Sequence, residues 1–121
     1  MNDVRASIQS HRDLIVWQKS MDLAVSAYRL TDSFPTHERY GLTSQIRRSC
    51  ASIPANIAEG YGRESAGAYA QQLRVAQGSL KEFETHFELA HRVGMVDAST
   101  LSIILKSSEE VGKMLRSLIR R

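Results

Sequence analysis

Hydrophobic residues recur in this sequence at alternating steps of three and four, and this spacing constrains the fold more than any other feature. In the longest example seven positions keep the alternation without a break: Tyr69, Leu73, Ala76, Leu80, Phe83, Phe87 and Ala90. Steps of three and four place side chains on one face of an α-helix. Residues 65–93 are therefore predicted to form a long helix that packs along this face.

Three further segments show the same spacing, over about residues 13–33, over about 38–61, and from 97 or 99 towards the C-terminus. Their apolar stripes are, in order, Leu14, Trp17, Met21, Ala24 and Tyr28; Leu42, Ile46, Cys50, Ile53 and Ile57; and Leu101, Ile104, Ser108, Val111, Leu115 and Leu118. No segment sustains the period-two alternation of a strand. Four amphipathic helices with short connections predict an all-α fold, an antiparallel up-and-down four-helix bundle.

The helix ends carry recognisable signals. Asp13 and Ser65 precede the first and third segments and are predicted N-caps, and Gly94 is a predicted C-terminal stop for the third. Either Asp97 or Ser99 opens the fourth segment. These signals divide the chain into helices joined by short turns.

The bundle accounts for residues 13–121 as a single domain, and residues 1–12, which are polar and unpatterned, are predicted to be a flexible N-terminal segment. No secretory signal is visible, and the longest apolar run is too short to span a membrane, so no membrane role is expected. Cys50 is the only cysteine. It cannot form an internal disulfide, and a reducing cytoplasm is the simplest predicted location.

The second segment carries a polar face beside its apolar stripe. On a helical wheel this face collects Gln45, Ser49, Ser52, Asn56, Glu59 and Arg63, and a third face is made of Ala51, Ala55 and Ala58. Buried polar groups need hydrogen-bond partners, so Ser49, Ser52, Asn56 and Glu59 are predicted to form a structural polar network. A binding strip is the alternative interpretation.

Positive charge is concentrated in two parts of the chain. The net charge is +3. Residues 37–63 carry four arginines against two glutamates, and residues 95–121 carry five positive against three negative charges, a net of +2 in each part. Arg47, Arg48 and Arg63, with Tyr61 as a stacking aromatic, are the candidate nucleic-acid-binding residues. An ordinary solvated charged surface would show the same bias, so charge permits this function without requiring it.

Motifs in the second and third segments together resemble a known family. They are "ER-GL" at Glu38–Arg39 and Gly41–Leu42, "RRS" at Arg47–Ser49, "SI" at Ser52–Ile53, "NIAEG" at Asn56–Gly60, and "A-GS--E" at Ala76, Gly78, Ser79 and Glu82. The sequence resembles the four-helix bundle proteins named for open reading frames within intervening sequences of 23S ribosomal RNA genes. The resemblance covers nearly the whole chain.

This resemblance implies a small bacterial cytoplasmic protein that forms a ring-like homo-oligomer, with a pentamer as the expected form. The family in turn resembles, distantly, the accessory proteins of diversity-generating retroelements, pentameric bundles whose basic surface binds nucleic acid and a reverse transcriptase. No activity is established for the family as a whole. A ring would repeat the arginines in every subunit and strengthen their field.

Catalytic, metal and cofactor chemistry finds little support in the sequence. Glu88 with His91, and Glu82 with His86, are isolated pairs rather than the ligand set of a di-iron bundle, so neither a metal nor another cofactor is expected. Cys50 lies on an apolar stripe, as a small buried residue would. The predicted function is non-enzymatic: an oligomeric accessory protein that binds RNA or DNA, or alternatively a protein-interaction scaffold without a nucleic-acid role.

Overall fold

The computed structural model describes residues 8–121. It contains four α-helices, which are α1 (Ile15–Thr31), α2 (Leu42–Tyr61), α3 (Ala66–Arg92) and α4 (Ala98–Ile119). Two short 3-10 turns, His11–Asp13 and Thr36–Glu38, precede α1 and α2. The described part of the chain holds no strand, so the predicted all-α class is confirmed.

Contacts between consecutive helices show that their directions are opposite, because the residue number falls in one helix as it rises in its neighbour. The Arg47 guanidinium near the start of α2 lies over the ring of Tyr28 near the end of α1. The other pairs run the same way: Ser52 with Ser79 and Gly60 with Tyr69 between α2 and α3, and Leu80 with Gly112 and Glu84 with Ser108 between α3 and α4. Lys19 and Glu110 form a salt bridge at 3.2 Å, where α4 closes against α1. The helices therefore form an antiparallel up-and-down bundle.

The predicted apolar stripes of α2, α3 and α4 form the core. Their fully buried members include the large side chains Ile46, Ile53, Ile57, Leu73, Leu80, Phe83, Phe87 and Leu115. Residues at the ends of the same stripes, Leu42, Tyr69, Leu101 and Leu118, are partly buried against this core. No helix within residues 8–121 is long and apolar enough to cross a membrane.

The stripe predicted for α1 is wrong in part: Ala24 is buried and Leu14 and Trp17 pack partly buried against the core, but Met21 and Tyr28 do not. The helix instead turns Val16, Ser20, Leu23, Ala24, Ala27 and Thr31 inwards, a face offset by roughly 100° from the predicted one. Met21 and Tyr28, predicted to be core residues, are 37% and 45% exposed. Beside Val16 and Leu23, the buried face of α1 consists of serine, alanine and threonine, so this helix contributes mostly small side chains to the core.

Most predicted helix ends are confirmed. The Ser65 and Asp97 side chains accept hydrogen bonds from the backbone amides of Ala68 and Thr100 and so cap α3 and α4. Gly94 adopts a φ of +90°, the left-handed conformation expected after a helix. Asp13 does not cap α1, because its carboxylate instead accepts from the amides of the residues that begin the preceding turn.

The flexible segment predicted over residues 1–12 lies mostly outside the described residues, which begin at Ile8. Within the described part, Ser10 opens the turn His11–Asp13 with a reciprocal capping box. The His11 ring packs edge-on against Trp17 with ring centroids 5.1 Å apart. The capping box orders the turn, and the ring contact packs it against the start of α1.

Candidate functional site

The connection between α1 and α2 is shaped by a carboxylate that caps α2 from outside the helix. Glu38 Oε2 accepts a hydrogen bond from the backbone amide of Leu42 at 2.9 Å. A Cβ atom on Gly41 would lie 2.8 Å from that same oxygen, so a larger residue at this position would displace the Glu38 carboxylate. The "ER-GL" motif therefore determines how α2 begins, because its glutamate caps the first residue of the helix.

A cleft of about 460 Å³ opens beside this cap, between the end of α1, the connection and the start of α2. We call it the basic cleft and define it by the lining residues Tyr28, Asp32, Arg39, Tyr40, Thr43, Ser44, Arg47 and Arg48. Three arginines and one aspartate line it, which gives a net charge of +2. This surface is the strongest candidate for a binding site in the described chain.

Arg47 forms one wall of the basic cleft and is held tightly to α1. Its Nε donates to the Thr31 hydroxyl at 2.8 Å, and its Nη2 donates to the Tyr28 carbonyl at 3.2 Å and to the Asp32 carboxylate at 2.9 Å. The guanidinium also lies 4.9 Å from the centre of the Tyr28 ring. Arg47 therefore joins the two helices and covers one face of Tyr28.

Arg39, Tyr40 and Arg48 are exposed residues on the α2 side of the cleft. Tyr40 is 89% exposed, the largest value among the large hydrophobic residues of the described chain. Neither Arg39 nor Arg48 takes part in a salt bridge formed within residues 8–121. These two guanidinium groups are therefore available for an anion, with an aromatic ring beside them.

Thr43 supplies an unusual feature on the same cleft. The residue is 7% exposed, and its hydroxyl oxygen is the one buried side-chain polar atom of residues 8–121 that has no hydrogen-bond partner. The first backbone amides of a helix also lack acceptors within the helix. Glu38 accepts the hydrogen bond of the Leu42 amide. The next two amides of α2, those of Thr43 and Ser44, have no acceptor within the helix.

Tyr61 and Arg63, the other predicted nucleic-acid residues, lie at the opposite end of α2. Arg48 and Tyr61 are separated by most of the helix, roughly 20 Å along its axis. Tyr61 packs edge-on against Tyr69 with ring centroids 6.4 Å apart, and Arg63 forms a 2.6 Å salt bridge with Glu59. The structure therefore divides the four predicted residues between two ends of the bundle.

The polar face of α2 meets α3 through a contact between two serine hydroxyls, which an asparagine of α2 supports. The Ser52 and Ser79 hydroxyls lie 2.8 Å apart, and Asn56 Nδ2 donates to the carbonyl and the hydroxyl of Ser52 at 2.7 and 2.9 Å. Ser49 donates to the carbonyl of Gln45 within its own helix. Among the residues predicted to form one network, Ser52 and Asn56 are linked to each other, whereas Ser49 and Glu59 have separate partners.

An apolar groove of about 420 Å³ runs on the outer surface between α1 and α2. Met21, Val25 and Tyr28 of α1 and Ala51 and Pro54 of α2 line it. We call this surface the apolar groove. Because Tyr28 lines both surfaces, the groove and the basic cleft are adjacent.

The remaining titratable side chains form ordinary local contacts. His86 pairs with Glu82 at 3.6 Å, and His91 Nδ1 lies 2.8 Å from the Val96 carbonyl. Within residues 8–121 no group of three or more histidine, cysteine, aspartate or glutamate side chains is arranged to hold a metal. Cys50 is fully buried, as predicted, and burial raises the pKa of its thiol to about 12.

Sequence reasoning missed six of the eight residues that define the basic cleft: Tyr28, Asp32, Arg39, Tyr40, Thr43 and Ser44. Tyr28 was assigned to the core, and Thr43 fell on no recognised face. The "ER-GL" motif contained the available signal, because Arg39 and Tyr40 lie within it or beside it. The motif shows only that Arg39 and Tyr40 are close in sequence to the start of α2. It does not show that the end of α1 forms the other side of the cleft.

The fold and the cleft together define a class of protein, an antiparallel four-helix bundle that presents arginines and tyrosines at one end. The chain belongs to the family of 23S rRNA-intervening sequence proteins, whose family model matches residues 12–117. No curated protein matches it.

A solved structure supports the fold. The chain is similar to a protein with unknown function from the S23 ribosomal protein family of Bacteroides thetaiotaomicron, whose crystal structure was determined at 1.70 Å resolution. The two share 28% sequence identity and a TM-score of 0.79, over 88% of this chain and 100% of that chain.

Proposed function

We propose that this protein is a non-enzymatic accessory protein of the cytoplasm that binds RNA or DNA through the basic cleft. The observation that carries the proposal is the grouping of Arg39 and Arg48, both free of intramolecular salt bridges in the described chain, with the exposed ring of Tyr40. Arginines neutralise phosphates, and an aromatic ring stacks on a base whatever its sequence. This combination suits single-stranded nucleic acid.

The three arginines have different roles in this proposal. Arg47 is tied to Asp32 and to the end of α1, so it orients the cleft and contributes part of the field. Arg39 and Arg48 contact phosphates directly. Arg63 and Tyr61 lie at the other end of α2 and form a second, weaker basic surface, since Arg63 is already paired with Glu59.

Assembly would multiply this modest charge. We propose a ring-like homo-oligomer, with a pentamer as the form that the family resemblance implies, in which every subunit contributes one basic cleft. Several weak sites on one particle bind a strand more tightly than one site does, because the later contacts are intramolecular. Because several basic clefts would act on one strand, such a ring would bind nucleic acid although the net charge of one chain is only +3.

The direct test is a binding titration of the protein with fluorescent single-stranded RNA and DNA over a range of salt concentrations. We expect affinity to fall steeply with added salt, because each neutralised phosphate releases counterions. The double variant Arg39→Ala/Arg48→Ala should lose most of the affinity and should show a shallower salt dependence.

The matched control is Arg74→Ala with Arg92→Ala, two exposed arginines of α3, which removes the same charge elsewhere. This control should retain most of the affinity. Binding that is absent, insensitive to salt, or equally reduced by both double variants would contradict the proposal that the basic cleft is the nucleic-acid site.

The alternative function, a protein-interaction scaffold, is favoured by a different observation. The apolar groove exposes Met21 and Val25, and Gly78 lies exposed in the middle of α3, where an added Cβ atom would meet no neighbour within 4 Å. A mid-helix glycine destabilises a helix by about 0.5–1 kcal/mol relative to alanine. Close packing of a helix from a second copy of the chain would explain both the exposed apolar groove and the exposed glycine.

The two functions are separated by light scattering after size exclusion, at low and high salt, with and without a mixed nucleic-acid pool. A particle of several subunits that shifts with nucleic acid only at low salt favours the accessory function. A particle that ignores nucleic acid favours the scaffold. A monomer at micromolar concentration contradicts the ring and weighs heavily against the scaffold.

A further inference from the structure

We propose that the apolar groove binds the outer face of α3 from a second copy of this chain. The inference rests on the homo-oligomer of the proposed function and deepens it, because it assigns the two surfaces that join neighbouring subunits. Nucleic-acid binding by the basic cleft is a separate property, since no residue of α3 lines that cleft.

α3 carries a second stripe of residues at alternating steps of four and three, on the side away from the core. Each member lies two positions after a member of the core stripe, which turns it by about 200° around the helix axis. We call this surface the outer stripe and define it by Gln71, Val75, Gly78, Glu82, Thr85 and Leu89. All six residues are exposed. The described chain therefore leaves one regular face of α3 open.

The "A-GS--E" motif contributes two residues to the bundle and two to the outer stripe. Ala76 is buried in the core, and the Ser79 hydroxyl lies 2.8 Å from that of Ser52. Gly78 and Glu82 belong to the outer stripe. A Cβ atom on Gly78 would meet nothing within 4 Å, so packing inside the chain does not explain a glycine that weakens the middle of a helix. A glycine on an open face allows a side chain of another helix to approach the backbone closely.

The apolar groove has the complementary character. Met21, Val25 and Tyr28 of α1 are exposed large hydrophobic residues that line it. Among the described residues that line the groove, Arg29 is the one that carries a charge. The groove therefore fits a partner that is apolar along most of its length and carries a negative group at one end.

The spacing of the outer stripe matches the spacing of the groove. Gly78 and Glu82 are four residues apart in α3. The same step separates Val25 from Arg29 in α1. A step of four covers about 6 Å along any α-helix. One alignment of the two helices therefore places the glycine opposite the valine and the glutamate opposite the arginine.

Charge complementarity selects this alignment. Glu82 is 58% exposed and has a 3.6 Å contact with His86 of its own helix. Arg29 takes part in no salt bridge formed within residues 8–121. The alignment pairs these opposite charges across the contact, and at the other end it brings Val75 to Met21, which removes apolar surface from water.

The contact joins two different surfaces, so it is heterologous. The groove lies between α1 and α2, whereas the outer stripe lies on the side of α3 that faces away from the core. When two copies join, one groove and one outer stripe remain free, and further copies add until the two ends meet. Such a contact builds a ring or a filament rather than a symmetric dimer.

Gly78→Gln tests the outer stripe without harming the bundle. Glutamine favours a helix more than glycine does and its Cβ meets no neighbour, so the melting temperature should equal or exceed that of wild type. The added side chain occupies the space that Val25 of the next copy needs. Light scattering should therefore show the mass of one chain at concentrations where wild type is assembled. Ser102→Gln, at an exposed position of α4, is the matched control and should keep the wild-type mass.

A charge exchange tests the pairing of Glu82 with Arg29. Glu82→Arg and Arg29→Glu each place like charges opposite each other, and each should raise the concentration for half assembly at least about tenfold. The double variant Glu82→Arg/Arg29→Glu restores opposite charges and should recover most of the assembly. Glu109→Arg, which breaks an i,i+4 pair with Lys113 on α4, is the control and should assemble as wild type does.

A mixture of two assembly-deficient variants tests the heterologous arrangement. Gly78→Gln keeps an intact groove, and Arg29→Glu keeps an intact outer stripe, so an equimolar mixture retains one productive contact. The mixture should form one-to-one pairs. Larger particles, or no pairs at all, would overturn the heterologous arrangement.

A wild-type monomer at micromolar concentration, unchanged assembly of Gly78→Gln, or a charge exchange that fails to recover assembly would overturn the proposed contact. If the assembly results are as expected and the oligomer binds no RNA or DNA, the contact is supported and the nucleic-acid function is contradicted. If the contact is overturned while salt-dependent binding through Arg39 and Arg48 is measured, the nucleic-acid function is supported without it.

Discussion

The Nε–H of Arg47 donates a hydrogen bond to the Thr31 hydroxyl at 2.8 Å, and that hydroxyl in turn donates to the Ala27 carbonyl at 2.8 Å. A charged side chain of α2 is thus connected to the last turn of α1 through a buried threonine. The same guanidinium reaches the Tyr28 carbonyl and the Asp32 carboxylate. This relationship makes Arg47 a structural residue as well as a charged wall of the basic cleft.

Arg47→Ala should reduce the free energy of unfolding by roughly 1.5–3 kcal/mol, the range for hydrogen bonds that involve a charged group. Arg47→Lys should not restore it, because an ammonium group cannot reproduce the planar fork that contacts three acceptors. Urea denaturation of both variants measures the effect. Arg48→Ala is the matched control and should change stability by less than about 0.5 kcal/mol; a similar loss in both alanine variants would contradict the structural role.

Two glycines, one at a helix–helix contact and one in open space, should respond in opposite directions to alanine. A Cβ on Gly60 would lie 2.8 Å from the Gln72 Cβ and 3.0 Å from Tyr69 Cδ1, so Gly60→Ala should destabilise by about 1–3 kcal/mol. A Cβ on Gly78 would meet nothing, so Gly78→Ala should stabilise an isolated chain by about 0.5–1 kcal/mol.

Denaturation at several protein concentrations measures both glycine variants. A destabilising Gly78→Ala, with an effect that grows with concentration, would show that another copy of the chain packs there, as the scaffold alternative requires. A stabilising effect at every concentration would remove the main support for that contact.

Cys50 should be unreactive in the folded protein. The thiol is fully buried and its pKa is raised to about 12 by desolvation, so the reactive thiolate is almost absent at pH 8. A thiol reagent should modify it only as fast as the bundle opens, and urea should accelerate labelling in step with unfolding. Rapid stoichiometric labelling in buffer would contradict the buried position.

The start of α4 should lose stability at acidic pH, because its N-cap Asp97 becomes protonated. The backbone hydrogen bond from Thr100, followed by its side-chain hydrogen bond, lowers the pKa of Asp97 below its ordinary value of 3.8. Its stabilising contribution is therefore present above the ordinary pKa and is lost as pH falls through the lower folded value. Asp97→Asn, which keeps a capping side chain, should show a smaller drop in melting temperature over this acidic range than wild type.

Much of the bundle was predictable because its determinants are local. The alternation of three and four in α2, α3 and α4 located the core stripes, and Ser65, Asp97 and Gly94 marked helix ends. On α1 the prediction was wrong for Met21 and Tyr28, which are exposed. Apolar residues lie on two neighbouring faces of this helix, and the sequence alone does not show that Leu23 and Ala27 are the ones turned inwards. That choice depends on how the side chains of the four helices pack together in one core.

The number of helices, most of their ends and most of the core follow from the amino-acid sequence alone, since helix periodicity and capping act over a few neighbouring residues. Which arginines share a surface was settled by tertiary packing. That packing brought Arg39 and Arg48 to the end of α1, engaged Arg47 with Thr31, and left Arg63 at the far end of α2. The physical reason is that the rotation of each helix and the choice of its neighbours depend on how the side chains of all four helices pack in one shared core, which no local signal specifies.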